Sequence, residues 1–394
     1  MHGKRQSALL SPLQIRDTVF KNRIVISPMQ QYAATVDGKV GPWHRAHLGR
    51  LAAGGAGLVF AEVTAVSPEG RNTYADTGLW SDDQIDGWSR LTEEMAATSI
   101  PGIQIGHCGR KASIQRPWDG FGPLTEADAA RGEAPWPVVG PSAIASNPGW
   151  PVPAELTLDQ IKVLVDQFAS ATRRALAAGF QALNIHGAHG YLIHSFLSPL
   201  SNQRSDAYGG DRAGRMRFAL EVAEAVRANW PGTLPIFFRI SAIDGLPGGW
   251  EIEDSIALAR ALKTRGIDVM DCSSGGLTAR STTAAVPRPE GYQVPLAAAV
   301  RDGADIATMA VGLIRNPSFA EAVVAEGSAD FVAIGRESLN DPFWPFRAAV
   351  DLMGEAEGYA AWPKRYGWWL ERRAEQLRLD PSASAPQPKA KASQ

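Results

Sequence analysis

The stretch GLVFA at residues 57–61 is apolar without interruption. This composition is typical of a parallel β-strand that is covered by helices on one side and packed against a core on the other. Similar runs recur along the chain and predict eight strands, at residues 23–27, 57–63, 102–107, 182–186, 234–240, 268–273, 305–310 and 330–334. Stretches with helical spacing separate most of them, for example at residues 158–178, 216–229 and 252–265. The alternation predicts repeated βα units, and eight such units favour a (β/α)8 TIM barrel over an open doubly wound sheet.

The length and composition of the chain are those expected of a single domain. The 394 residues are 45% hydrophobic and 20% charged, which is ordinary for a folded protein, and barrels of this kind often exceed ~250 residues. We expect one barrel domain over residues 1–373, in which a segment rich in Pro, Gly and Trp, at about 112–151, forms a loop excursion over the barrel mouth. The Ser, Ala, Pro and Lys composition of residues 374–394 predicts a disordered tail.

Charge and cysteine content exclude several classes of function. The formal net charge is -2 with both signs interspersed, so the chain carries no electrostatic footprint for nucleic acid or an anionic membrane surface. No apolar run approaches the ~18 residues of a membrane span, and the N-terminus lacks the apolar core of a secretory signal. The 2 cysteines are too few for a disulfide framework. We therefore expect a cytoplasmic protein that acts on a small-molecule substrate.

Polar residues follow several of the predicted strands. In a barrel, the carboxyl ends of the strands face one shared mouth, which is where barrel enzymes carry out their chemistry. Residues remote in sequence are therefore predicted to meet in one site. They are Ser27, Gln30, Glu62, Thr64, Gln104, His107, His186, His189, Arg239, Ser273, Gly312, Gly335 and Arg336.

The motif HGAHGY at residues 186–191 places two imidazoles and a phenol at the end of the fourth predicted strand. Taken alone, His186 and His189 could form a metal pair, a hydrogen-bonding pair for a substrate oxygen, or two structural histidines. A zinc site needs at least one further ligand, and no nearby carboxylate is arranged to supply it, so we expect no metal. Two neutral imidazoles could polarise a carbonyl oxygen while the Tyr191 hydroxyl delivers a proton to carbon. This combination suits the reduction of an activated alkene.

Further motifs occur in a fixed order along the chain. They are FKNRIV at 20–25, SPM at 27–29, GIQ at 102–104, HCGRK at 107–111, PSAI at 141–144, HGAHGY at 186–191, FLSPLSN at 196–202, RSDAYGG at 204–210 and GR at 335–336. Together they resemble the Old Yellow Enzyme family, nearer to its thermophilic-like and xenobiotic-reductase branch than to its plant and yeast branch. The resemblance extends over roughly residues 10–373 and implies an NAD(P)H-dependent flavin oxidoreductase.

The resemblance implies a noncovalently bound FMN whose ring lies across the barrel mouth. Gln104 matches the residue that binds the pyrimidine edge, and Arg239 matches the residue beside flavin N1, where a guanidinium favours the reduced anion. The backbone that packs against the ring matches Ser27, Pro28, Met29, Gln30 and Val63. The phosphate site, which barrels commonly form after their last two strands, matches Gly312, Gly335 and Arg336. The alternatives are glycines that serve tight turns and an Arg239 that forms a buried ion pair.

The resemblance also implies a substrate site on the flavin. His186, His189 and Tyr32 match residues that contact the substrate, and Tyr191 matches the proton donor. Trp369 lies in a segment that resembles one which reaches into the neighbouring subunit's site, so a homodimer or higher homo-oligomer is implied. The alternatives are a half-buried core aromatic for Tyr32 and an ordinary helix on its own barrel for Trp369.

The chain departs from its branch at Gln30, where that branch usually has a cysteine that contacts both flavin and substrate. A carboxamide both donates and accepts hydrogen bonds, so redox potential and substrate range are expected to differ. The leading hypothesis is an ene-reductase: NADPH or NADH reduces FMN, and flavin N5 then passes hydride to an α,β-unsaturated carbonyl or nitroalkene. The alternatives are a related flavin barrel that catalyses isomerisation or demethylation, and a non-catalytic flavin-binding homologue. Loop charges around residues 111–116 and 280–288 are expected to set nicotinamide preference.

Overall fold

The structure is a computed structural model that describes residues 7–278 and 288–379. Its strands are β1 (Leu13–Ile15), β2 (Thr18–Phe20), β3 (Ile24–Ile26), β4 (Leu58–Ala65), β5 (Ile100–Gly106), β6 (Val139–Gly140), β7 (Ala154–Glu155), β8 (Ala182–Gly187), β9 (Ile236–Ser241), β10 (Val269–Ser273), β11 (Ala307–Val311) and β12 (Phe331–Ile334). Eight of them pair in parallel as a closed barrel, in the order β10-β11-β12-β3-β4-β5-β8-β9. The predicted (β/α)8 barrel is confirmed, and each predicted strand overlaps one barrel strand.

Helices surround the barrel. Within the described residues they are α1 (Pro42–Ala53), α2 (Ile85–Ala96), α3 (Leu158–Ala177), α4 (Leu192–Leu197), α5 (Arg212–Ala228), α6 (Ile252–Lys263), α7 (Val294–Ala304), α8 (Pro317–Ala325), α9 (Arg336–Asn340), α10 (Trp344–Met353), α11 (Glu355–Ala360) and α12 (Lys364–Leu379). The predicted start of α3 is confirmed, because Thr157 caps the helix and exchanges hydrogen bonds with Gln160. Ile161, Leu164 and Phe168 form the buried face of this helix.

An apolar floor closes the amino-terminal end of the barrel. Strands β1 and β2 form an antiparallel hairpin before the first barrel strand, and Phe20 of this hairpin meets Phe331 edge to face, with 5.1 Å between ring centroids. Phe60 and Phe237 belong to the same buried cluster, with 5.3 Å between their ring centroids. We call these four phenylalanines the barrel floor. They fill the beginning of the barrel and leave the carboxyl ends of the strands for a binding site.

Residues 112–151, predicted as a loop excursion, consist of short turns and β6, which pairs in parallel with β7. Arg71 stacks on Trp136 of this excursion and also on Tyr74 and Trp80, with 5.2 to 5.6 Å between the guanidinium carbon and the ring centroids. Cation–π contacts of this kind are each worth ~0.5–2 kcal/mol. This Arg71 anchor joins the excursion to the segment that follows β4.

The C-terminal helix α12 ends at Leu379, beyond residue 373, after which the tail was predicted to begin. The rest of that tail, residues 380–394, lies outside the described residues, as do residues 280–287 of the segment expected to influence nicotinamide preference. Within the part of the chain that the structure covers, no helix is both long enough and apolar enough to cross a membrane.

Candidate active site at the barrel mouth

Two cavities lie at the carboxyl ends of the barrel strands. The first has a volume of about 460 Å³, and the predicted residues among those that line it are Ser27, Pro28, Met29, Arg239, Gly312, Gly335 and Arg336. The second has a volume of about 470 Å³ and is lined on one side by His189 and Tyr191. Ser273, Tyr292 and Gln293 line both cavities, which are therefore adjacent. The structure thus brings together most of the residues predicted to form one site.

The end of the first cavity near β11 and β12 is shaped for a group that approaches the backbone. Gly312 has φ +136°, which a residue with a side chain rarely adopts. A Cβ added to Gly335 would meet no atom closer than 4.0 Å, so the backbone there borders open space. Arg336 lines the same cavity. A guanidinium beside accessible backbone is a suitable site for a phosphate.

Buried polar groups with unsatisfied atoms lie inside the barrel below the mouth. Gln104 and Asn184 are register partners on β5 and β8, so their side chains point to the same face, and Asn184 donates to Asp271 of β10 inside the barrel. Gln104 is 2% exposed. Within the described residues, Gln104 Nε2, Asn184 Oδ1, Arg239 Nε and Asp271 Oδ1 have no hydrogen-bond partner. Leaving such an atom unpaired costs ~1–3 kcal/mol. Because the protein supplies no hydrogen-bond partner for these four atoms among the described residues, the region suits a polar ligand.

Arg239 takes part in the ion pair that was the alternative to a cofactor role. Its Nε lies 3.4 Å from Asp271 Oδ2, and the same carboxylate oxygen accepts a 3.0 Å hydrogen bond from Asn184 Nδ2. Burial raises the pKa of Asp271, although the Arg239 charge and the Asn184 hydrogen bond oppose this change. Arg239 also lines the first cavity. The ion pair therefore holds the guanidinium at the cavity and does not remove it from the site.

His186 and His189 form a hydrogen-bonded pair of neutral imidazoles. Their rings approach to 3.4 Å between His189 Nδ1 and His186 Nε2, and His189 Nε2 lies 2.7 Å from Ser273 Oγ. His186 Nδ1 accepts from the backbone N–H of Ala188, so its neutral ring carries its proton on Nε2. Burial, followed by the nearby Arg239 charge, holds the pKa of both histidines well below its usual range. Each ring therefore keeps one N–H donor at neutral pH.

Tyr191 lies beside this pair, and its ring centroid is 4.7 Å from that of His186. Its side chain is 9% exposed, and burial raises the pKa of the phenol well above its usual value. The hydroxyl oxygen accepts a 2.6 Å hydrogen bond from Asn72 Nδ2, and the hydroxyl donates to Gln30 Oε1 over 3.3 Å. Tyr191 is therefore a protonated phenol whose proton is already engaged by a neutral acceptor.

Gln30 and Val63 lie on the Tyr191 side of the mouth. The Gln30 amide donates to Asp76 Oδ2 over 2.9 Å and accepts from Tyr191. Val63 follows a register irregularity in β4 and belongs to a small apolar cluster with Tyr191. Tyr32 has φ +53°, and its hydroxyl lies 3.4 Å from Gln30 Oε1. Gln30 therefore connects two of the predicted site tyrosines.

Trp369 is the one predicted site residue that lies far out on the surface of its own chain. It is 67% exposed on α12 and contacts the neighbouring Trp368 ring edge to face, with 4.6 Å between centroids. It lines neither of the two cavities. Because its expected role concerns a neighbouring subunit, that role stays a prediction.

Several site residues were not singled out from the sequence. Asn72 and Asp76 come from the segment between β4 and α2. Lys111, expected only as a loop charge, donates from Nζ to the backbone carbonyls of His189 and Gly276. Burial lowers the pKa of Lys111 to about 8. Tyr292 and Gln293 border both cavities. The sequence indicated these residues only through their position after a barrel strand, because every segment that follows a barrel strand faces the mouth. Within the described residues, no group of three or more His, Cys, Asp or Glu is arranged to hold a metal ion.

Relatives by sequence align with this chain almost end to end. The NADPH dehydrogenase of Bacillus subtilis (strain 168) is 43% identical over 349 residues, which cover 88% of this chain and 96% of the relative. The NADPH dehydrogenase of Geobacillus sp. (strain WCH70) is 41% identical over 349 residues, 88% of this chain and 95% of the relative.

Solved structures resemble the chain over most of its length. Morphinone reductase superimposes with a TM-score of 0.72 at 25% identity, covering 89% of this chain and 91% of the other. An Old Yellow Enzyme homologue from Zymomonas mobilis superimposes with a TM-score of 0.71 at 26% identity, covering 86% and 91%. The model of the NADH:flavin oxidoreductase / NADH oxidase family matches residues 8–355. The chain therefore belongs to this family, the Old Yellow Enzyme family that its motifs indicated, and is an NAD(P)H-dependent flavin oxidoreductase that uses FMN.

Proposed function

We propose that this flavin oxidoreductase is an ene-reductase that saturates the C=C bond of α,β-unsaturated carbonyls or nitroalkenes. The observation that supports this most directly is the arrangement of His186, His189 and Tyr191. His189 and the protonated phenol of Tyr191 border the same cavity, and His186 lies behind them, with its ring centroid 5.2 Å from that of His189 and 4.7 Å from that of Tyr191. An activated alkene requires this combination, because its oxygen needs hydrogen-bond donors and its α carbon needs a proton.

The residues around the first cavity fit a noncovalent FMN. Its pyrimidine edge offers donors and acceptors that match the unsatisfied Gln104 Nε2. Arg239 would face the negative charge of the reduced ring, while Arg336, Gly312 and the accessible backbone at Gly335 would hold the phosphate. When bound, FMN accepts hydride from NADPH or NADH and supplies it to the β carbon of the alkene.

The second cavity fits the proposed substrate class. Ile114, Phe121 and Trp150 give it apolar walls, and His189 and Tyr191 supply polar groups at one side. Sites for small organic molecules commonly combine such walls with a few convergent polar groups. His189, together with His186 behind it, binds the carbonyl or nitro oxygen through N–H donors. Tyr191 then gives its hydroxyl proton to the α carbon.

Anaerobic titration with NADPH, followed by mixing with cyclohexenone, tests this proposal. NADPH should bleach the visible flavin absorbance, and cyclohexenone should restore it with release of the saturated ketone. If NADPH bleaches the flavin and only oxygen restores the colour, the chain catalyses a different redox step, such as isomerisation or demethylation. If the purified protein binds no flavin, the catalytic proposal is wrong and the barrel alone remains.

Replacing Gln104 with leucine should separate cofactor affinity from protein stability. Because Nε2 is buried without a partner among the described residues, the substitution removes an unsatisfied donor, and the flavin-free Gln104→Leu protein should melt at the wild-type temperature or higher. The same change removes one hydrogen bond to FMN, so the Kd for FMN should rise ~10-fold. Fluorescence titration with FMN and thermal melting of the flavin-free protein measure the two effects. A large fall in melting temperature would contradict the assignment.

We also propose that Trp369 contributes to the site of a second copy in a homodimer or higher homo-oligomer. The 67% exposure of this large apolar side chain on α12 supports the proposal. Light scattering of the wild-type protein and of Trp369→Ala tests it. Unchanged assembly and unchanged substrate affinity in the variant would contradict it.

A further inference from the structure

Two residues, Asn72 and Gln30, connect Tyr191 to the buried carboxyl of Asp76. Asn72 Nδ2 lies 2.6 Å from Tyr191 Oη, Gln30 Oε1 lies 3.3 Å from the same oxygen, and Gln30 Nε2 lies 2.9 Å from Asp76 Oδ2. Asn72 is 4% exposed and Asp76 is 2% exposed. We call Asn72, Gln30 and Asp76 the Tyr191 network. None of the three belongs to the mechanism described so far.

The carboxyl of Asp76 determines how both amides are oriented. One oxygen, Oδ2, accepts from Gln30 Nε2 and from the Asn72 backbone N–H, and the other accepts from Thr73 Oγ1 over 2.7 Å. An ionised carboxylate only accepts, so above the Asp76 pKa of about 7 Gln30 must present its NH₂ group to Asp76 and its carbonyl oxygen to Tyr191. Asn72 Nδ2 lies 3.4 Å from that carbonyl oxygen, so Asn72 must also present its NH₂ group. The orientation of each amide follows from its neighbour.

We propose that Asn72 is a positioning residue that stabilises the negative charge left on Tyr191 Oη after proton transfer, and that Asp76 acting through Gln30 holds Asn72 in the donating orientation. This inference rests on the proposed function, in which Tyr191 protonates the substrate. During that step the Oη–H bond breaks, the proton bonds to the α carbon and the electron pair stays on Oη. Solvent water later returns a proton to Oη. A hydrogen bond to a charged oxygen is about twice as strong as one to a neutral oxygen, so the Asn72 contact strengthens as the charge develops.

The surroundings of Tyr191 disfavour its charged form, so a hydrogen-bond donor is needed to stabilise that form. Burial raises the pKa of the phenol most, and the Cys108 thiol, the Tyr32 phenol and the Asp76 carboxyl raise it further, whereas the hydrogen bond from Asn72 lowers it. The neutral His186 ring also faces Tyr191. Among the contacts that act on this phenol, Asn72 therefore opposes the effect of burial.

Burial of the polar groups of the Tyr191 network lowers the stability of the folded protein. Burial raises the pKa of Asp76 to about 7, despite hydrogen bonds from Thr73 and from the backbone of Asn72. Within the described residues, Asn72 Oδ1 is buried and has no hydrogen-bond partner. A side chain selected only to pack the segment after β4 would not require a buried, half-satisfied amide. Unfavourable burial of this kind beside a reactive group is typical of a functional site.

Two variants at position 72 test the inference. Asn72→Ala removes the donor, and Asn72→Asp keeps the shape while replacing the donor with a carboxylate. In stopped-flow experiments, reoxidation by cyclohexenone should slow ~10- to 100-fold in Asn72→Ala, as expected for loss of one hydrogen bond to a charged oxygen. It should slow further in Asn72→Asp above pH 7, because two negative charges would then face each other. Reduction by NADPH should stay close to the wild-type rate in both.

Two further measurements distinguish positioning from a structural role. Asn72→Ala should cause no additional loss in the Tyr191→Phe background, because its effect acts through the phenol. In flavin-free protein, the difference between ultraviolet titrations recorded with Tyr191 and with the Tyr191→Phe substitution gives the pKa of Tyr191. This pKa should be higher in Asn72→Ala than in the protein that retains Asn72. This measurement needs no cofactor, so it decides the question even if a variant binds FMN poorly.

The outcomes separate this inference from the proposed function. If Tyr191→Phe reduces cyclohexenone at the wild-type rate, the proton-donor role itself is wrong. If Tyr191→Phe is slow but Asn72→Ala is not, only the role of Asn72 is wrong. If Asn72→Ala slows the reaction by the same factor in the wild type and in the Tyr191→Phe background, Asn72 is purely structural. Recovery of the wild-type rate by Asn72→Asp would lead to the same conclusion.

Discussion

In the Tyr191→Phe variant, reduction of cyclohexenone is expected to slow by ~10²- to 10⁴-fold, the usual contribution of a general acid. Phenylalanine retains the ring that packs at 4.7 Å from His186 but has no proton to give. The α carbon must then be protonated by solvent water. Stopped-flow reoxidation under anaerobic conditions measures the effect directly.

Reduction by NADPH should persist in this variant, because hydride delivery to the cofactor does not use the phenol proton. Tyr208→Phe is the matched control. Tyr208 is buried to a similar degree and donates its hydroxyl to Glu221, but it lines neither mouth cavity. Its variant should reduce cyclohexenone at the wild-type rate. Equal rates in the two variants would show that the Tyr191 hydroxyl has no role in protonation.

The second large effect is expected when His186 and His189 are both replaced by alanine. Each neutral ring carries one N–H, which a ligand oxygen takes over from His189 Nδ1 or Ser273 Oγ, and a hydrogen bond to a charged oxygen contributes ~1.5–3 kcal/mol. Loss of both should weaken binding of a phenolate ligand at least ~100-fold. The measurement is the long-wavelength charge-transfer band that a phenol induces on bound flavin, which should disappear.

His47→Ala provides the control for this double variant. His47 is a buried histidine on α1, and burial lowers its pKa to about 4, so it too is neutral at pH 7. It lines neither cavity at the mouth, and its removal should leave the band intact. A band that persists in the double histidine variant would place the anion site elsewhere in the mouth.

The barrel and the histidine–tyrosine motif could be read from the sequence because both are local signals. Each strand is a short apolar run bounded by turns, and parallel strands fix the direction in which their ends point. Once β8 is placed, the HGAHGY motif at its end must face the mouth. Gly312 and Gly335 follow by the same reasoning from β11 and β12.

The Tyr191 network could not be derived in this way. Asn72 and Asp76 lie in a segment without periodicity, whose path depends on the Arg71 anchor and therefore on Trp136, more than sixty residues further along the chain. Gln30 was recognised as a departure, but its contacts with Asp76 and Tyr191 depend on that same path. Such contacts are set by tertiary packing and leave no trace in local residue spacing.

The residues that stabilise the barrel and the residues proposed to act on the substrate lie at opposite ends of the barrel. The barrel floor is assembled from phenylalanines at the start of the strands and from the β1–β2 hairpin, whereas the side chains proposed to bind and protonate the substrate within one chain, His186, His189 and Tyr191, lie at the far end. A residue at the mouth can therefore be exchanged without disturbing the aromatic packing that stabilises the fold. In such an architecture, substitutions that change substrate specificity lower the free energy of unfolding only slightly. Selection can therefore diversify the substrates while the barrel itself stays constant.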